Sequence, residues 1–490
     1  MPTCVGMTLS GPALTLHLQS ASALAGLVRK GEIGCLDLLD HFIDRVERLN
    51  PRINAIVVRD FDRARDRARA LDNRSDKSGP LFGVPMTVKE SFDVAGLPTT
   101  RGHPELANIQ AATTCLAVRR LEEAGAVVFG KTNVPVDLAD WQSYNPVYGT
   151  TSNPWNTDRT PGGSSGGSAA ALAAGLTGLE LGSDIGGSIR VPAHYCGVFG
   201  HKPSWALCPN FGDAGPSAPT DIAVLGPLAR SANDLRLVLD LLARPDPADS
   251  GLAVTLPSPR FTSLKTLRVA VWSHEPGQPT EPEIVAAIDG LADRLEREGA
   301  TVSRSARPAF DPLPAYRIYL RLLHAAWGGN TPAAVIAEQR AAAARLSPDD
   351  NSADAWMLRG TDMPHGVWLG LNQRRHAVRR LWNAFFQEWD VLLCPALATS
   401  AMPHRQDGTT WDRRIAIDGQ SVHYNDQLFW PLIVGGSHLP ATVAPIGRTR
   451  DGLPIGVQIV GPTHGDRSTI AMAALLEQAG HVFAAPPDWA

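Results

Sequence analysis

The chain has 490 residues, 44% of them hydrophobic and 19% charged, with a formal net charge of -4. This is the composition of an ordinary globular enzyme, long enough to bury a core without disulfide or metal support. The near-balanced charge, with no basic block and no acidic tail, argues against a nucleic-acid binder, and no apolar run approaches the ~18 residues of a membrane span.

The six cysteines, Cys4, Cys35, Cys115, Cys196, Cys208 and Cys394, form no CxxC pair and are irregularly spaced. That usage predicts a reduced, cytoplasmic protein rather than a disulfide framework. No Cys or His falls at zinc-ligand spacing, so no metal is expected. The N-terminal MPTCVGMTLSGPALTLHLQ is mildly apolar but lacks the basic region of a secretory signal.

In chain order, residues 21–50 carry apolar side chains at helical spacing: Leu24, Leu27, Val28, then Leu36, Leu39, Phe42, Ile43, Val46 and Leu49. They predict two amphipathic helices broken between Gly31 and Gly34. Residues 60–71 mix Asp, Arg and Ala, the pattern of an exposed helix laced by ion pairs. FGVPMTV is a short apolar strand ending at Lys89. TCLAVRRLEEAG is a helix stopped at Gly125, and AVVFG a buried strand running into Lys131. The alternation predicts a parallel or mixed sheet covered by helices.

Residues 153–167, dense in Pro, Gly, Ser and Asn, read as a loop. An Ala-rich helix over 168–176 and the buried strand GLELGSD follow. Residues 244–262, rich in Pro, Asp and Ser, are the best linker. Beyond it lie the strand TLRVAVW, a helix over 281–298, the strand VSRSA, and a helical region over 315–389 with loops near Pro348 and Gly360. VLLCPAL and GLPIGVQIVG are apolar strands, and 468–479 is a closing helix.

Two Gly/Ser clusters stand out, GGSSGGS at 162–168 and DIGGSIR at 184–190. Glycine permits the unusual dihedrals of a turn whose successive N–H groups point at one anion. Ser188 closes such a turn, and the N–H groups of Ile185, Gly186, Gly187 and Ser188 are suited to an oxyanion hole around its hydroxyl. The serine needs a base, and no histidine lies in either cluster. Of the lysines, Lys30, Lys77, Lys89, Lys131, Lys202 and Lys265, only Lys89 sits within the apolar strand VPMTVKESF. At the reference pKa of about 10.4 roughly 0.04% of a lysine is neutral at pH 7; burial favours the neutral form.

Gly162 to Gly166 also satisfies G-x-S-x-G, the nucleophile elbow of α/β-hydrolases, but NPWNTDRTP before it is not the strand an elbow follows. No GK[ST] follows the loop, which disfavours phosphate binding. Ser165 and Ser168 read as scaffold and Lys131 as a structural hydrogen-bond donor. Asp184 and Arg190 read as a buried pair holding the loop, and His194 and His201 as supporting residues.

LFGVPMTVKESFDVAGLPTT, VVFGKTNVP, TSNPWNTDRTPGGSSGGSAAALAAG and LELGSDIGGSIRVPAHYCGVFGHKPS resemble, segment after segment, the amidase-signature family. The likeness is densest over 81–204 and reaches both ends more weakly. It implies a single domain over 1–490, an α/β/α sandwich around a large mixed β-sheet. Residues 81–204 would be the signature core and 263–490 the more variable, substrate-side half. It implies a catalytic triad of Lys89, Ser164 in a cis peptide, and the nucleophile Ser188, with Glu90 as the acidic residue that usually follows the lysine. It also implies that the strip of Leu138, Trp141 and Tyr144 lines an acyl-side pocket, against an equal expectation of plain core packing. Trp327, Trp368, Trp411 and Trp430 wall an apolar or aryl pocket or pack helices.

The function expected is hydrolysis of the amide bond of a small apolar or aryl molecule through an acyl-serine, without cofactor, and the same apparatus suits esters and carbamates. No nucleic-acid or membrane partner is expected, and a homo-oligomer is left open. The alternative is the glutamine-splitting component of an amidotransferase complex. Such members carry a Gly/Tyr-rich stretch in the second half, from which MPHGVWLGLNQRRHAVRRLW departs.

Overall fold

The alternation of strand and helix expected from residue 81 onward runs through almost the whole chain. The computed structural model describes residues 15–209, 220–244, 254–328 and 331–489. In chain order the strands are β1 Ile56–Arg59, β2 Pro85–Lys89, β3 Val127–Thr132, β4 Tyr144–Asn145, β5 Gly149–Thr150, β6 Glu180–Asp184, β7 Phe199–Lys202 and β8 Val224–Ala229. The second half adds β9 Arg268–Val271, β10 Thr301–Ser303, β11 Val391–Pro395, β12 Arg414–Ile417, β13 Gln420–His423, β14 Ala441–Arg448 and β15 Pro454–Val460.

An 11-stranded sheet runs in the order β1-β3-β2-β6-β8-β7-β14-β15-β11-β9-β10. It is mixed: β3, β2 and β6 are parallel, as are β11, β9 and β10, while the strands between pair antiparallel. Strands from before and after the expected linker share this one sheet, so it divides no two cores. Residues 245–253 of that linker and residues 1–14 of the N-terminal apolar segment, Cys4 among them, lie outside the described residues.

Side chains alternate across a strand, and here both sets are apolar. Val269, Val271, Val391 and Leu393 join one core with the helices Ala21–Arg29, Cys35–Leu49, Pro282–Arg297 and Asp466–Gln478. Ala270, Leu392 and Cys394 point the other way, into a core shared with Pro312–Gly328 and Phe429–Gly435. This is the layered sandwich the resemblance implied.

The predicted break between the first two helices is present, with Gly31 in the left-handed region. Their orphan N–H groups are met from afar. Asp234 accepts from Ala21 and Ser22, and Asp72 from Cys35 and Leu36. The predicted ion-paired helix spans Phe61–Asp72, but Ala64, Ala68 and Leu71 bury one face of it. The region 315–389 resolves into Pro312–Gly328, Ala333–Ala344, Ala353–Leu358 and His365–Glu388. The residue pattern alone does not mark β1, β7, β8 or β14 as strands.

Candidate active site

Strands β2 and β6 lie side by side in the middle of the left half of the sheet, with Thr87 opposite Glu180 and Val88 opposite Leu181. Both strands end on the residues that matter. β2 delivers Lys89, and β6 delivers Ser183 and Asp184 before the chain enters the Gly186–Gly187 turn. The other Gly/Ser loop leads into the helix Gly166–Ala173, every residue of which is buried. All of its side chains but Leu172 are small, which lets the helix sit there. A β-carbon on Gly163 would collide with the backbone of Asp140 and Trp141, so glycine is what lets this loop close on the 140–142 strip.

The Nζ of Lys89 lies 2.6 Å from Ser164 Oγ, 2.8 Å from Ser183 Oγ and 3.4 Å from Ser183 O. Lys89 and Ser164 are fully buried, Ser188 is 5% exposed, and the Gly163–Ser164 peptide is cis. The two loops are stitched together by the Ser165 N–H, which donates to Ser188 O at 3.1 Å. Burial lowers the Lys89 pKa to about 7, the Asp184 charge opposing and Arg101 assisting.

Asp184 and Arg190 are the buried pair expected of them. Arg190 Nη2 and Nε donate to the two Asp184 oxygens at 2.8 and 3.0 Å, and Nη1 reaches Pro431 O at 2.7 Å and Gln458 Oε1 at 2.6 Å. Burial alone would raise the Asp184 pKa; the Arg190 charge and hydrogen bonds outweigh it and bring the carboxyl down to about 2. Asp184 also accepts from the N–H of Gly187 at 2.9 Å and of Ile189 at 3.0 Å. The Gly187 N–H, expected among the oxyanion donors, is therefore engaged by a carboxylate. Ile185, Gly186 and Ser188 keep N–H groups with no acceptor among the described residues.

A cavity of about 560 Å³ opens beside these groups, lined by Ser164, Ser183 and Ser188 at one side. Leu138 and Trp141 line it; Tyr144 does not, and instead accepts from Arg413 at 2.6 Å. Of the second-half tryptophans, Trp327 and Trp411 line the cavity. Trp430 is core, its indole donating to Thr280, and Trp368 stacks on His365. Sequence reasoning misses Ser183, His324, Asn425 and Thr410. Ser183 directly precedes the DIGGSIR cluster and could have been found there; the others lie in stretches with no motif.

The remaining candidates are scaffold. Lys131 donates to Pro98 O and Thr99 Oγ1, and Ser165 and Ser168 bond to Ser183 and Thr132. His194 receives the Gly456 N–H at 2.7 Å and lies 3.1 Å from Thr399 O. His201 joins Thr442 and Asp466. Glu90 accepts from the Thr100 and Arg101 N–H groups and shapes the turn after β2.

The sheet, the paired Gly/Ser loops and the buried lysine define a class, hydrolases of carbon–nitrogen amide bonds. A family model described as Amidase matches residues 37–470, and the chain belongs to that family. It is 31% identical over 480 residues to an indoleacetamide hydrolase of Bradyrhizobium diazoefficiens, covering 95% of this chain and 87% of that one. It is also 31% identical over 497 residues to a glutamyl-tRNA(Gln) amidotransferase subunit of Moorella thermoacetica, covering 97% and 99%. A solved structure of a bacterial aryl acylamidase of the amidase-signature family superposes with a TM-score of 0.79 at 25% identity, covering 95% and 97%.

Proposed function

We propose that the protein is a stand-alone amidase for small apolar or aryl substrates, with Ser188 as nucleophile, Ser164 as relay and Lys89 as base. The observation that carries this reading is the 2.6 Å contact between a fully buried lysine amine and Ser164, on the cavity that Ser188 also lines. A neutral amine has two N–H bonds and one lone pair. The two contacts to Ser183 use the N–H bonds, which leaves the lone pair for Ser164.

Ser188 Oγ attacks the carbonyl carbon as its proton passes to Ser164, whose own proton moves to Lys89. The N–H groups of Ile185, Gly186 and Ser188 stabilise the oxyanion, each such donor being worth about 10²–10³ in rate. The relay then runs backwards to protonate the leaving amine, and water opens the acyl-serine. Esters and carbamates need no proton returned so urgently and fit the same apparatus. Leu138, Trp141, Trp327 and Trp411 support an apolar or aryl substrate. The names of two similar proteins, an indoleacetamide hydrolase and an aryl acylamidase, point the same way.

The second reading, the glutamine-hydrolysing component of an amidotransferase, is favoured by the 31% identity to the Moorella thermoacetica protein. The test is to purify the chain alone, label it with a fluorophosphonate and screen anilides, aliphatic amides, esters and carbamates. Labelling of Ser188, turnover of an aryl amide, and loss of both in Ser188→Ala are expected. Label on Ser164 with Ser188 free would reverse the serine assignment. Inertness on every substrate, with ammonia release from glutamine once a partner is added, would favour the second reading.

A further inference from the structure

The indole of Trp141 does something a hydrophobic wall does not. Its Nε1–H donates to the carbonyl of Gly186 at 3.0 Å, inside the turn that ends on Ser188. The other end of the same peptide, the Gly187 N–H, donates to Asp184 Oδ1 at 2.9 Å. One peptide plane is thus held at both ends, by a neutral donor on one side and a charged acceptor on the other.

The plane lies between two glycines, and Gly187 sits at φ +104°. No residue type resists rotation less than glycine. The dihedrals of Gly186 and Gly187 set how the Gly186 N–H and the Ser188 N–H are aimed relative to each other. Those two groups are the free donors flanking the plane. Asp184 is immobilised by Arg190. Trp141 is immobilised in turn: it lies 5.4 Å from the Tyr424 ring, and Tyr424 donates to Asp140 at 2.7 Å. Asp140 takes the Arg413 guanidinium at 2.6 Å, both side chains being buried. The brace therefore runs from second-half residues 413 and 424, through Trp141, into the oxyanion turn.

We propose that Trp141 is a positioning residue for catalysis: its indole N–H fixes the Gly186–Gly187 peptide so that the flanking N–H groups converge on the oxyanion. This rests on the reading of Ser188 as nucleophile. Because Trp141 also lines the cavity, its loss as a wall and its loss as a brace must be separated. A wall acts on KM and on bulky substrates. A brace acts on kcat, whatever the size of the substrate.

The experiment compares wild type, Trp141→Phe, and replacement of Trp141 by β-(3-benzothienyl)alanine, which keeps the shape and exchanges N–H for sulfur. Each is assayed on an acetamide-sized amide and an aryl amide. Affinity is measured for a trifluoromethyl ketone, which adds to serine and forms an oxyanion, and for an unreactive amide of the same size. Both variants should lose about ten- to a hundredfold in kcat on both substrates, a fraction of a deleted oxyanion donor. In the benzothienyl variant, which keeps the wall, KM should stay within about twofold, ketone affinity should fall in parallel with kcat, and amide-analogue affinity should hold. Fluorotryptophan at position 141, which keeps the N–H, should restore kcat. Wild-type kcat and ketone affinity in the benzothienyl variant would overturn the brace and leave the Ser188 reading intact. Failure of Ser188 labelling in the wild-type enzyme would instead remove the reading, and the brace with it.

Discussion

Lys89 Nζ and Ser164 Oγ are 2.6 Å apart, and neither side chain reaches solvent. A charged ammonium in that place would be poorly compensated, since its neighbours are hydroxyls and a carbonyl and the nearby Asp184 is already committed to Arg190. Burial resolves the conflict by favouring the neutral amine, with the pKa lowered to about 7. The sign follows: the competent base is the deprotonated form, so kcat/KM should rise as pH increases through about 7 and then level off. Lys89→Ala should abolish this limb and cost amides more than activated esters, because a poor amine leaving group needs the proton returned. Unchanged amide turnover and pH profile in Lys89→Ala would remove the lysine from the mechanism.

Ser183→Ala offers a finer test of the same site. Ser183 Oγ accepts from Lys89 at 2.8 Å, and acceptors stabilise the ammonium more than the amine. The alkaline-rising limb should therefore move to lower pH, with kcat reduced because the amine is no longer oriented. A limb that moves upward would contradict this account of Ser183.

Arg190 and Asp184 are both fully buried. Arg190→Met leaves a buried carboxylate without its cation and should cost about 3–5 kcal/mol of stability, read as a fall in Tm or in denaturant midpoint. Adding Asp184→Asn removes the stranded charge and should recover part of that stability. Activity should not return with it, because the Gly187 N–H and Ile189 N–H lose their carboxylate anchor.

Trp327 and Trp411 bring the second half of the chain to the cavity, and each lies edge-on to His324, with ring centroids 6.3 and 5.9 Å away. Trp411→Ala should lower kcat/KM for aryl amides well beyond the loss for acetamide-sized ones. Equal losses on both would make Trp411 a packing residue.

The groups around Ser188 are hydroxyls, backbone amides, an amine and the Asp184 carboxylate, which Arg190 already engages, and among the described residues no group of three or more His, Cys, Asp or Glu could hold a metal ion. The purified chain should hydrolyse its amide substrate in EDTA, without ATP and without a second protein. Activity lost in EDTA and restored by zinc or manganese would contradict the proposed mechanism.

What the sequence determined by itself is mostly local. Lys89 at the end of an apolar strand, two Gly/Ser turns and a run of small residues that can only form a closely packed helix are visible because dihedral needs and burial periodicity are written in neighbouring residues. Other features were decided only by tertiary structure. β1, β7, β8 and β14 become strands because a neighbour in the sheet takes their hydrogen bonds. That the Gly187 N–H belongs to Asp184 rather than to the oxyanion depends on where Arg190 holds the carboxylate. Trp141 reaches Gly186 across 45 residues, and Trp411 is carried to the cavity while Trp430 is carried into the core. Composition makes a tryptophan a wall or a filler equally well; only the packing of distant segments aims its N–H.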